Sequence, residues 1–142
     1  MDISLVRKHV LTAIAAARDR AQRRRALAAE AERTYAAFLQ NVATPVTRQV
    51  AAALKAEGHA VTVFTPGGGL RLALDRTRDD YLELALDTAL EPPQVMARIS
   101  RTRGSRTLGE ERPLKPGTPP DGLTEEDVLA FLLEAIAPWV ER

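Results

Sequence analysis

A chain of 142 residues, 45% hydrophobic and 27% charged, has the make-up of one globular domain, and that apolar content excludes wholesale disorder. The absence of cysteine excludes a disulfide framework, a thiolate nucleophile and a cysteine-based zinc site. The net charge of +1 hides a polarity: residues 1–57 carry ten Lys/Arg against five Asp/Glu, whereas residues 119–142 carry one against six. Such an asymmetry serves internal packing, self-association or a charged partner. No apolar run reaches the roughly 18 residues of a membrane span. The start Met1-Asp2-Ile3-Ser4 is too acidic and amphipathic for a secretory leader, so a cytoplasmic chain without membrane contact is expected.

In chain order, Asp2 is placed to cap a helix. Apolar residues then recur at Ile3, Val6, Val10, Ile14, Ala17, Ala21, Ala28, Ala31, Tyr35, Leu39 and Val42, close to the 3.6-residue period. The stripe thins at Arg23-Arg24-Arg25, which allows either one long helix or two helices meeting there. Forty helical residues span about 60 Å, whereas a compact chain of this size is roughly 35–40 Å across. An unbroken helix therefore overhangs its own domain and leaves its stripe in need of a partner. Thr44-Pro45 reads as an N-cap followed by proline at the first helical position, and Gly58 as a C′ glycine. With Val46, Val50, Ala53 and Leu54 on its apolar face, this second helix follows a short link, so an antiparallel helical hairpin is expected.

After Gly58 the period changes to two. Val61 and Val63, then Leu70, Leu72 and Leu74, then Leu82, Leu84 and Leu86, then Val95, Ala97 and Ile99 alternate with other residues. Turn signals at Pro66-Gly67-Gly68-Gly69, at residues 75–80 and at Glu91-Pro92-Pro93 separate them, as in an antiparallel meander with one apolar face. Gly104-Ser105 can turn a fifth strand. Residues 116–123 read as loop. Thr124, with Asp127 three residues on and Leu123 facing Val128, gives a capping box and a hydrophobic staple for a last helix. Val128, Leu129, Leu132, Leu133, Ile136 and Trp139 or Val140 are its expected buried face, and Pro138 is expected to end or bend it.

No complete catalytic, metal or cofactor motif is present. The glycine run lacks the strand-to-helix context and the Lys-Ser/Thr pair of a phosphate loop and reads as a hairpin loop. His9 and His59 have no ligand cluster beside them. Asp75, Asp79, Asp80, Glu83 and Asp87 read as a solvated face, in which an acidic third strand pairs with Arg71 and Arg98 on its neighbours. Two arginine groups remain: Arg18, Arg20, Arg23, Arg24 and Arg25 on the first helix, and Arg98, Arg101, Arg103 and Arg106 around a hairpin tip. Neither has aromatic residues interleaved for base stacking.

The expected architecture is one α+β domain over residues 1–142. It comprises a helical segment at 1–57, a four- or five-stranded antiparallel sheet at 58–115, a loop at 116–123 and an amphipathic helix at 124–140 packed on the sheet. Leu72, Leu74, Leu82, Leu84, Leu86, Val95, Ile99, Leu129, Leu132 and Ile136 are its expected core. The expected function is non-enzymatic: protein–protein interaction or self-association, a dimer first, through Val6, Val10, Ile14, Tyr35, Phe38 and Leu39. One alternative is nucleic-acid binding through Arg20, Arg23, Arg24, Arg25, Arg101 and Arg103. Another is a small-ligand or enzymatic site combining the Gly67-Gly68-Gly69 loop with Asp79 and Asp80. No cofactor is expected.

Overall fold

In the computed structural model, which describes residues 1–141, the helical third is a single rod. Arg142, the last residue of the expected domain, lies outside the described residues. Helix α1 (Ile3–Phe38) starts where the Asp2 carboxylate accepts the Ser4 N–H at 3.0 Å. It continues through Arg23-Arg24-Arg25 because alanine and arginine are strong helix formers and nothing there breaks the backbone ladder. Ion pairs of Arg23 with Asp19 and of Arg33 with Glu30 brace it locally.

The expected hairpin does not form. A π-helical turn (Leu39–Ala43) leads directly into α2 (Thr44–Ala56), and Thr44 is itself helical, without a capping side chain. Proline disfavours helical geometry in the residue before it and clashes with the carbonyl four residues back. The π-turn accommodates the second effect, with the Thr44 N–H reaching back five residues to the Leu39 carbonyl, while Thr44 itself keeps helical angles of φ −64° and ψ −47°. At the far end the C′ glycine is real. Gly58 has φ 92°, its N–H donates to the Lys55 carbonyl, and the His59 N–H donates to the Leu54 carbonyl. These are the two bonds of a Schellman motif.

The sheet is a five-stranded antiparallel meander in sequence order, β1 (Val61–Phe64), β2 (Leu70–Leu74), β3 (Tyr81–Asp87), β4 (Gln94–Arg103) and β5 (Arg106–Pro113). Its register aligns Val63, Leu72, Leu82 and Ile99 in one row across four strands, and Leu70, Leu84 and Ala97 in another. Both rows face the helices. On the opposite face Phe64, Arg71, Glu83, Arg98 and Glu111 form a row across all five strands. Arg71 bonds Glu83 at 2.9–3.0 Å and lies 3.9 Å from the centre of the Tyr81 ring. Arg98 lies between Glu83 (3.8 Å) and Glu111 (3.4 Å). Arg71, Glu83 and Arg98 thus form the alternating cross-strand ladder expected of this face, whereas Asp80, expected among its solvated acids, is fully buried at the end of the turn before β3.

Helix α3 (Glu125–Val140) opens with the expected capping box. The Asp127 N–H donates to the Thr124 hydroxyl (3.3 Å) and the Thr124 N–H to the Asp127 carboxylate (2.9 Å). That backbone bond, with Lys115 nearby, holds the Asp127 carboxyl below the usual carboxylate range. Pro138 does not stop the helix, which runs on to Val140. α2 packs over β1 and β2, while α3 reaches β5, where Arg112 pairs with Glu134 (3.1 Å) and stands over the Phe131 ring. Tyr35, Phe38, Val46, Leu54, Val128, Phe131, Leu132, Ile136 and Trp139 close the core against the sheet. Thr124→Ala removes one arm of the capping box and is expected to lower stability by about 1 kcal/mol, read as a lower urea midpoint with an unchanged slope.

Candidate interaction surface

Two apolar surfaces lie outside this core, and both come from the helices. The first is the free part of α1. The helical face that carries Tyr35 and Ala28 recurs seven residues apart at Ala21 and Ile14, so one face runs the length of the helix. Ala31, Tyr35 and Phe38 are buried on the domain. Ala21, Arg24, Arg25 and Ala28 still line a cleft of about 370 Å³ against the turn at residues 88–93. Beyond that cleft the domain ends: every residue from 1 to 20 is exposed, with Ile3, Val6, Val10 and Ile14 along the same face. Of the residues expected to bind a partner, Val6, Val10 and Ile14 stand in solvent. Tyr35 and Phe38 belong to the chain's own core, and half-buried Leu39 packs against it.

The second surface is a groove of about 690 Å³ between α2 and α3. Val50 and Ala53 line it from α2 and Leu129, Leu133 and Val140 from α3, together with the edge of the core at Val46, Leu54 and Ile136. Leu129 and Leu133 were expected in the buried face of α3, yet they are 40% and 54% exposed. The helix is turned so that Phe131 and Ala135 are buried instead. Its apolar face is wider than the sheet can cover, and the surplus becomes a groove wall. The charged residues lining the groove are Glu57, Glu125 and Glu126, with half-buried His59 beside them.

The other expected sites are held by ordinary structural contacts. The glycine loop is pinned: the Tyr35 hydroxyl donates to the Gly68 carbonyl at 3.0 Å and approaches the Leu84 carbonyl at 3.4 Å. Gly67 and Gly68 have φ of 51° and 83°, and a Cβ on Gly69 would meet the Leu84 oxygen at 3.0 Å. Here glycine serves a tight turn against β3. Asp79 and Asp80 lie at the opposite end of β2, where the Leu74 N–H donates to the Asp80 carbonyl. The buried Asp80 carboxylate accepts the Thr102 N–H at 2.9 Å, and the Ser100 hydroxyl donates to the Asp79 carbonyl at 2.6 Å. The loop and the two aspartates are therefore not brought together.

The arginine groups are also separated. Arg24 and Arg25 sit beside the turn that precedes Gln94, whereas Arg101, Arg103 and Arg106 occupy the far tip of the β4–β5 hairpin. The nine-residue advance from Gln94 to Arg103 spans about 30 Å of strand. Arg20 and Arg23 lie on the exposed helix, Arg23 paired with Asp19. His9 is exposed on the same helix. Among the described residues no group of three His, Asp or Glu side chains is placed to hold a metal ion, and no helix is long and apolar enough to cross a membrane. Comparison with protein-family models, with curated proteins and with solved structures gives no match.

Two measurements check this division between core and surface. Leu132→Ala should cost about 2–5 kcal/mol because its side chain is buried, while Leu133→Ala one residue on should cost less than about 1 kcal/mol. Equal losses in urea unfolding would contradict the groove. Burial, with the nearby Glu83 charge, pushes the Tyr35 phenol up to about 12. A phenol whose folded pKa is raised contributes stability in full below its ordinary value of about 10, and loses that contribution as the pH rises through the folded value. In a Tyr81→Phe protein the remaining tyrosinate absorbance should therefore appear with a midpoint near 12, together with alkaline loss of structure.

Proposed function

We propose that this chain is a non-enzymatic interaction module whose docking element is the projecting end of α1. The observation that carries this reading is the overhang. Residues 3–56 make a rod of about 80 Å, roughly twice the width of a compact chain of this size, and the unsupported end keeps a regular apolar stripe. Ile3, Val6, Val10 and Ile14 stand in water along it. Burying a side chain of this kind fully is worth about 1.5–3 kcal/mol, so four on one face offer a gain of the same order as the entropic cost of association. A helix presenting residues at such spacing to an apolar groove is a recurring mode of recognition. A cytoplasmic setting suits a chain without cysteine.

The nucleic-acid reading has less behind it, because the basic groups lie far apart and one of the basic residues, Arg23, is paired on its own helix. The enzymatic reading lacks a place where the glycine loop and the acids converge.

Sedimentation velocity of the full chain should show a mass above the monomer, or affinity purification should recover a partner. Val6→Asp/Val10→Asp/Ile14→Asp should abolish that association while leaving the melting curve unchanged. A protein that is strictly monomeric and recovers nothing overturns the reading.

A further inference from the structure

We infer that the projecting end of α1 docks in the α2–α3 groove of a second copy of this chain. The inference rests on the interaction reading above and identifies both the receiving surface and the partner. Three features of the molecule point the same way.

The first is length. The apolar run of the arm, Ile3 to Ile14, and the α2 wall of the groove, Val46 to Glu57, each cover eleven helical steps, about 16–17 Å. A groove between two helices also has the shape that receives a third, since side-chain ridges of one helix settle between those of its neighbours.

The second is charge. Residues 1–28 hold seven Lys/Arg against two Asp/Glu. By helical spacing Arg7 and Arg18 flank one side of the arm's stripe and Arg20 the other. The charged groups lining the groove are the carboxylates Glu57, Glu125 and Glu126. A basic helix entering an acidic-rimmed apolar groove gains at its edges what two such helices packed together would lose by repulsion.

The third is the continuity of the rod. Arm and groove wall are parts of one helix joined through the π-turn, and both ends of that turn are helical. Ile14 and Val46 stand about 48 Å apart on it. The arm cannot reach the groove of its own chain, so the contact joins two copies.

The test uses full-length protein with two exposed positions, which keeps folding intact: Val10→Glu in the arm and Leu133→Arg in the groove. Each variant alone should lose self-association, read as at least a tenfold weaker dissociation constant by sedimentation, with a wild-type melting curve at dilutions where the wild type is itself dissociated. Mixed in equal amounts they should form a heterodimer that grows no further. The arm of the Leu133→Arg chain meets the intact groove of the Val10→Glu chain, and each partner lacks the other half of the contact. Wild-type association should also weaken as sodium chloride is raised. If Leu133→Arg associates like wild type while Val10→Glu does not, arms pair with arms and the groove assignment fails, though the interaction reading stands. If the wild-type chain is monomeric but captures a different protein through the arm, the second-copy assignment fails and the interaction reading again stands. A monomer that captures nothing overturns both.

Discussion

The molecule depends on how the chain passes Pro45. Ordinary helical geometry would set the proline ring against the Asn41 carbonyl and offer that carbonyl no donor. A chain meeting this conflict can stop the helix and turn back, or widen one turn and go on. It widens: the Thr44 N–H bonds the Leu39 carbonyl, five residues back, and the backbone stays helical on both sides. That choice makes a rod in place of a hairpin. It puts α2 on the sheet and sends the first twenty residues into solvent.

The far side of the turn is fixed by the core. Phe38, Ala43, Val46 and Leu54 are all buried, so the helix is anchored on both sides of the widened segment. Tyr35 adds a directional contact. Its ring packs in the core while its hydroxyl holds the glycine loop between β1 and β2. The last supported turns of α1 are therefore tied to the sheet edge, and the direction of the arm follows from that tie. The outer face of the sheet has a different logic. Alternating charges across the strands satisfy one another locally, with Glu83 bridging Arg71 and Arg98, and this balance leaves that face poorly suited to capture a charged ligand.

Much of this was legible in the sequence because it is local. Alternation located the strands, Thr124 and Asp127 announced the capping box, and Gly58 marked a helix end through the positive φ that such an end requires. The stripe in α1 was legible as well, and so was its excess length. Two features were not. Thr44-Pro45 has the same appearance whether a helix begins there or passes through, because both outcomes place proline where no N–H is needed. The deciding factor is how Phe38 and Val46 share one core, which is a tertiary matter. Leu129 and Leu133 fit an apolar face as well as Phe131 and Ala135 do, since α3 is apolar around more than half its circumference. Which part meets the sheet depends on where α2 already lies. The groove was therefore invisible in the sequence, although each of its apolar residues lies on an expected helix face.

Exposed leucines beside an exposed apolar arm create a hazard, because apolar surface associates without regard to partner. The charge distribution limits it. The arm carries its excess of arginine and lysine next to the stripe, so two arms repel, and α3 carries three acidic residues in its first turn and Glu134 beyond, without one basic residue. Two grooves repel in the same way. What remains attractive is the heterotypic contact of arm with groove, which gains apolar burial and opposite charge together. On the reading proposed above, separating the two signs onto surfaces that one chain cannot bring together turns a liability for aggregation into a preference for a defined contact between chains. On this view the net charge near zero is the sum of two halves that each exclude their own kind.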